Sequence, residues 1–191
     1  MSGNFIFNAV KFLIPQLISV ISIFYGWLSM MIPSLSFYFL GISSICDGMD
    51  GFIARKLNAE SKFGVIMDSV CDLFNFCFVP SIVLLRTSSI FLIIPVFWTS
   101  IIYFLSGFIR LIKFTFDEEC QYTVIDNTKY FNGMPTPLAA MISVLSSVYY
   151  PTIISLPVNL ILAYFMNSKC KVQKIDFSRL STYDWKKAFL L

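Results

Sequence analysis

From Phe12 to Cys46 the chain carries no charged residue. Such a run exceeds the ~20 residues one helix needs to cross a hydrocarbon core and suits two helices joined by a tight turn. Met31-Ile32-Pro33-Ser34 is the expected turn, because proline interrupts helical hydrogen bonding. Lipid offers the backbone no hydrogen-bond partner, so helices are the expected spanning structure. With 57% hydrophobic and 13% charged residues, the remainder of the chain is also far more apolar than an ordinary soluble domain. The first apolar stretch is expected to be retained. Only Lys11 precedes it, it outlasts a signal peptide's apolar region, and no A-x-A-like cleavage site follows.

These patterns predict an all-α polytopic membrane protein with about six transmembrane helices, at 10–31, 34–56, 63–87, 90–114, 133–150 and 152–167. Residues 1–9 are expected as a short interfacial segment with Phe5 and Phe7 dipping into lipid, 10–167 as the membrane domain, and 168–191 as a charged tail. A polar connector, 115–132, joins the fourth and fifth spans. This map places thirteen Lys and Arg on the side of both termini and only Arg86 on the other. That asymmetry predicts cytoplasmic termini, in the inner membrane if the source is prokaryotic. The net charge of +3 then suits anionic headgroups rather than nucleic acid. Five scattered Cys without a C-x-x-C pair, and no His, argue against zinc and for a reducing compartment.

Against this apolar background, residues 46–72 read CDGMDGFIARKLNAESKFGVIMDSVCD. Asp47, Asp50, Gly51, Ala54 and Arg55 share one helical face, and Gly64, Asp68 and Asp72, four apart, share a face of the next helix. The short polar segment 56–62 lets the chain reverse, so the two aspartate faces can meet. Four carboxylates in a low dielectric repel strongly and require counter-charge. All-oxygen ligands point to two divalent cations, Mg²⁺ or Mn²⁺. Gly51, Ala54 and Gly64 serve either close helix packing or room for a ligand. Beside four aspartates and Arg55 the second is the better reading, and in physical terms the site suits a diphosphate.

The pattern Asp47-x2-Asp50-Gly51-x2-Ala54-Arg55-x8-Gly64-x3-Asp68-x3-Asp72 resembles the signature of the CDP-alcohol phosphotransferase family at all eight fixed positions. The resemblance implies six transmembrane helices, a homodimer, two metals binding the CDP-lipid, and displacement of CMP by an alcohol. It implies metal ligation by Asp47, Asp50, Asp68 and Asp72, with Asp72 also the catalytic base. Arg55 is implied as a phosphate contact, and Gly51, Ala54 and Gly64 as the nucleotide and diphosphate face. Ser106-Gly107-Phe108-Ile109-Arg110-Leu111-Ile112-Lys113-Phe114 and Phe131-Asn132-Gly133-Met134-Pro135-Thr136-Pro137 resemble later motifs of the phosphatidylserine synthase branch. That branch implies a phospholipid-biosynthesis transferase acting on CDP-diacylglycerol, or an ether-lipid analogue, and L-serine.

The residues alone leave the acceptor open. Arg110 and Lys113 can hold serine's carboxylate, but Arg also binds phosphate, so glycerol 3-phosphate or inositol phosphate remains an alternative. Lys113 reads equally well as a snorkelling anchor. Gly133 to Pro137 either opens the fifth span or shapes the acceptor pocket with Thr136. The first span departs from the branch: Pro15-Gln16-Leu17-Ile18-Ser19 stands where that branch often carries Pro-Asn and a Thr. No residue of this helix is therefore expected in the site. A cation channel or transporter is the alternative of another class, although transport does not require Gly51, Ala54, Arg55 and Gly64 at these spacings.

Overall fold

The computed structural model describes residues 2–56, 62–116, 122–125, 128–168 and 171–173, with 2–14, 54–55, 62–63, 114–116, 122–125, 128–132 and 171–173 described by backbone alone. Helix α1 runs Ser2–Met31 with Pro15 inside it. A single 3₁₀ turn, Pro33–Leu35, separates it from α2, Ser36–Lys56, where proline at the turn's start ends one helix and admits the next. Helix α3 is Lys62–Asp72, followed without a break by a π-helical stretch, Leu73–Phe78, and α4, Val79–Thr87. Then come α5, Ile93–Phe116, α6, Thr136–Tyr149, and α7, Thr152–Asn167. Helices thus occupy the six expected segments, and α1 also takes in most of residues 1–9 as its first turns.

The side-chain distribution is consistent with a membrane protein. Phe91, Ile94 and Tyr164 are 94%, 71% and 73% exposed, whereas Ser22, Ser29, Ser36, Ser43, Asn75 and Asn159 are fully buried. In water this arrangement would forfeit ~25 cal/mol for every Å² of apolar surface left outside. In a membrane the outer apolar surface is at home, and small polar residues let helices approach and bond. Gly64–Thr87 and Ile90–Lys113 are long and apolar enough to cross a membrane, and Pro15–Met31, Thr136–Tyr149 and Thr152–Asn167 are shorter apolar helices.

Two clusters make the core. Met30, Leu40, Phe76, Val79, Val83, Ala140 and Val144 join α1, α2, α4 and α6 through the π-helical stretch. Tyr103, Ala139, Leu162 and Met166 join α5, α6 and α7. Helices α1 and α2 meet along a seam of serines. Ser29 Oγ donates to Ser36 O at 3.1 Å, and Ser22 Oγ to Ser43 O at 3.1 Å, with Ser43 Oγ returning a bond to Ser22 O at 3.0 Å. At the opposite end from the aspartates, the Arg86 guanidinium donates to Met30 O in the last turn of α1, an end whose carbonyls lack helical partners.

The all-helical expectation holds for the apolar body and needs one correction outside it. Strands β1, Tyr122–Ile125, and β2, Thr128–Asn132, form an antiparallel hairpin, with Ile125 opposite Thr128. Strand β3, Lys171–Gln173, adds to the far side of β2, with Asn132 opposite Lys171. β-branched and aromatic residues in Tyr122-Thr-Val-Ile and Thr128-Lys-Tyr-Phe suit strands, so a sheet forms where only a polar connector and a tail were expected. Gly133 leaves the sheet at φ +81°, and a Cβ there would stand 2.6 Å from Met166 O. Only glycine fits both the backbone angle and this approach to the end of α7. Met134 N then donates to Phe165 O at 3.2 Å, and Pro135 leads into α6.

Candidate active site

Asp47 and Asp50 lie on the last turns of α2, and Asp68 and Asp72 on α3. As their spacing predicts, the two faces meet. Asp47, Asp50 and Asp68 each present one carboxylate oxygen, and these atoms lie within 4.8 Å of one another. Asp72 stands outside this trio but reaches Asp47 at hydrogen-bonding range and Asp68 and Asp50 electrostatically. Asp50 is only 3% exposed. Oδ1 of Asp47, of Asp50 and of Asp72 is buried with no hydrogen-bond partner among the described residues. Buried acceptors are normally satisfied. Three orphaned carboxylate oxygens beside a three-oxygen cluster therefore suit a bound cation, and hard divalent ions take such all-oxygen sets.

Helix α1 contributes a residue that sequence reasoning left out of the site. Ser19 is buried, and its Oγ donates to Asp50 Oδ2. One turn earlier, Gln16 buries Nε2 without a partner among the described residues. The signal was present but weak: Ser19 continues the spacing of Ser22, Gly26 and Ser29, which alone reads as helix packing.

Open space adjoins the carboxylates. A Cβ built on Gly51 would meet no atom within 4 Å, so this glycine leaves room rather than permitting close helix contact. Gly64 is half-buried on α3. Ala54 and Arg55 continue α2, but their side chains lie outside the described residues.

Arg110 approaches from α5 and lies within electrostatic reach of Asp72 and Cys77. Its Nε is buried without a partner among the described residues. The preceding turn explains its position. A Cβ on Gly107 would collide with Cys77 Sγ, so glycine lets α5 press against the π-helical stretch. Ser106 Oγ donates to Ala163 O, and Asn167 Nδ2 donates to Ser106 Oγ at 2.7 Å, fixing α5 to α7. Lys113 is exposed one turn beyond Arg110, and Thr136 is buried at the first position of α6. Neither has an interaction with the carboxylates among those described.

A family model described as CDP-alcohol phosphatidyltransferase matches residues 12–167. The chain is 34% identical over 135 residues to a Bacillus subtilis protein named CDP-diacylglycerol–serine O-phosphatidyltransferase, covering 71% of each chain. Proteins of the same name are 32% identical over 133 residues in Methanocaldococcus jannaschii and 31% over 151 residues in Helicobacter pylori. These matches cover 69% and 70% of this chain but 58% and 56% of those proteins. The chain thus spans little more than half the length of these two relatives.

Proposed function

We propose, because this chain belongs to the CDP-alcohol phosphatidyltransferase family, that it transfers the phosphatidyl group of CDP-diacylglycerol, or of an ether-lipid analogue, to L-serine. The products are phosphatidylserine and CMP. The gathering of Asp47, Asp50 and Asp68 oxygens within 4.8 Å carries this reading. The space beside Gly51 and the printed names of the relatives add to it.

Asp47, Asp50, Asp68 and Asp72 would hold two divalent ions, Mg²⁺ or Mn²⁺. Bound there, the ions supply counter-charge to the diphosphate and stabilise the attacking and leaving oxygens. Asp72 accepts the serine hydroxyl proton as the serine oxygen bonds to the phosphatidyl phosphorus and the bond to CMP breaks. Arg55 contacts the phosphates, and Gly51, Ala54 and Gly64 leave the nucleotide its room. Arg110 receives the serine carboxylate, with Lys113 and Thr136 as further acceptor contacts. The chain crosses the membrane six times, with both termini and the site on the cytoplasmic side, and works as a homodimer. At ~1.5 Å per residue the 30 residues of α1 exceed a ~30 Å hydrocarbon core, which leaves its first turns beyond the core.

The test is a transfer assay on purified protein in detergent, with CDP-diacylglycerol and radiolabelled serine, glycerol 3-phosphate or inositol phosphate. Label should enter lipid from serine, with CMP released. Preferential labelling from another acceptor would overturn serine as the substrate, and no CMP release with any acceptor would overturn the transferase reading.

A further inference from the structure

The residue three positions beyond Asp72 is Asn75, in the π-helical stretch Leu73–Phe78. It is fully buried. Its Nδ2 donates to Ser22 Oγ at 2.8 Å, and Ser22 in turn bonds Ser43. Its Oδ1 has no partner among the described residues and rests against Gly26, where a Cβ would collide with it. A carboxamide in a lipid-solvated core is costly unless bonded. A π-helical turn is rare, and where one persists it frequently marks a functional site.

The placement of this contact relates it to the carboxylates. Ser22 lies one helical turn from Ser19, which binds Asp50. Ser43 lies one turn before Asp47, and Asn75 one turn after Asp72. The three partners thus form a rung one turn away from Ser19 on α1, from Asp47 on α2 and from Asp72 at the end of α3. Gly26 supplies the space that lets Asn75 reach the rung.

We propose that Asn75 is a positioning residue: by bolting the π-helical stretch to the α1–α2 seam through Ser22, it sets where Asp68 and Asp72 stand against Asp47 and Asp50. The proposal rests on reading the aspartates as a divalent-metal site. Without the bolt, α3 is free to rotate or slide at the π turn, and the carboxylates lose their common centre. Gly26→Ala reaches the same end from another helix, because its methyl group displaces the Asn75 carboxamide.

The test is Mn²⁺ binding to purified protein, read by electron paramagnetic resonance of the free ion without any CDP-lipid, alongside the metal-free Tm. Asn75→Ala and Gly26→Ala should each weaken Mn²⁺ binding on the order of tenfold. Gly26→Ala should add little once Asn75 is already alanine, since the two changes act through one contact. A lowered Tm with wild-type Mn²⁺ affinity in both variants overturns the positioning role and leaves Asn75 a packing residue. Fully additive losses overturn the shared contact. A wild-type protein that binds no Mn²⁺ overturns the metal reading and this proposal with it. Should Asn75→Ala not fold, Gly26→Ala decides by the same readout.

Discussion

The Ser19 hydroxyl on α1 donates to Oδ2 of Asp50 on α2, while Oδ1 of the same carboxylate is buried and unpartnered among the described residues. One oxygen of Asp50 is therefore committed to the protein, and the carboxylate cannot rotate freely about its terminal bond. A hydrogen bond to a charged group contributes about 1.5–3 kcal/mol. Ser19→Ala should therefore lower kcat/KM on the order of tenfold and raise the Mn²⁺ concentration needed for half-maximal activity, whereas Ser19→Thr keeps the hydroxyl and most of the activity. Metal titrations of CMP release check this, and an unchanged titration curve in Ser19→Ala would exclude Ser19 from orienting the ligand.

Metal removal should abolish turnover. EDTA is expected to stop CMP release and Mn²⁺ or Mg²⁺ to restore it, because Asp47, Asp50 and Asp68 crowd their oxygens within 4.8 Å of one another. Asp47→Asn and Asp68→Asn should each cause severe loss, since an amide oxygen is a weaker ligand than a carboxylate. Full activity after thorough metal stripping would rule out the site.

Asp72 is set apart from the other three by its place outside the trio and its nearness to Arg110. Asp72→Asn should retain much of the CDP-lipid affinity while turnover falls by roughly 10²-fold or more, the scale of a lost general base. Separate measurements of lipid binding and kcat decide between roles. Joint loss of metal and donor binding would make Asp72 chiefly a ligand.

Arg110→Ala should raise the KM for serine by about tenfold or more, with little change in nucleotide binding. Its guanidinium carries a buried Nε without a partner among the described residues, so it has bonding capacity to offer a substrate. A variant that loses CDP-diacylglycerol affinity while keeping its serine KM would move Arg110 to the donor site.

Arg86 offers a contrast at the other end of the molecule. Arg86→Ala removes the guanidinium donor to Met30 O and leaves the end of α1 uncompensated. It should lower stability by about 1–2 kcal/mol, seen as a reduced Tm in detergent, without altering kcat. A changed kcat at unchanged Tm would show that this contact reaches the site.

The aspartate faces were legible because helical periodicity fixes which residues share a side, and Asp47, Asp50, Asp68 and Asp72 follow it. Ser19 was not legible as a site residue. A serine on the small-residue face of an apolar helix has the same appearance whether its hydroxyl meets a carboxylate, as Ser19 does, or a backbone carbonyl, as Ser29 does. The π-helical stretch was hidden for a related reason. Periodicity arguments assume 3.6 residues per turn, and Leu73–Phe78 departs from it just before Pro80, which has no N–H to return to Phe76 O and is a weak local mark of the change. Strand β3 escaped because it pairs across a gap in sequence that spans two helices, whereas the β1–β2 hairpin did leave a local mark in the β-branched and aromatic residues of its two strands.

That long-range pairing bears on the order in which the molecule can be made. As the chain emerges from the ribosome, β1 and β2 can pair as soon as both exist, but β3 follows α6 and α7. The outer edge of β2 must therefore wait while those two helices are synthesised. The turn at Gly133 against the end of α7 waits for the same event. Closure of the sheet is thus available only once α7 has been made and lies where Met166 O meets Gly133.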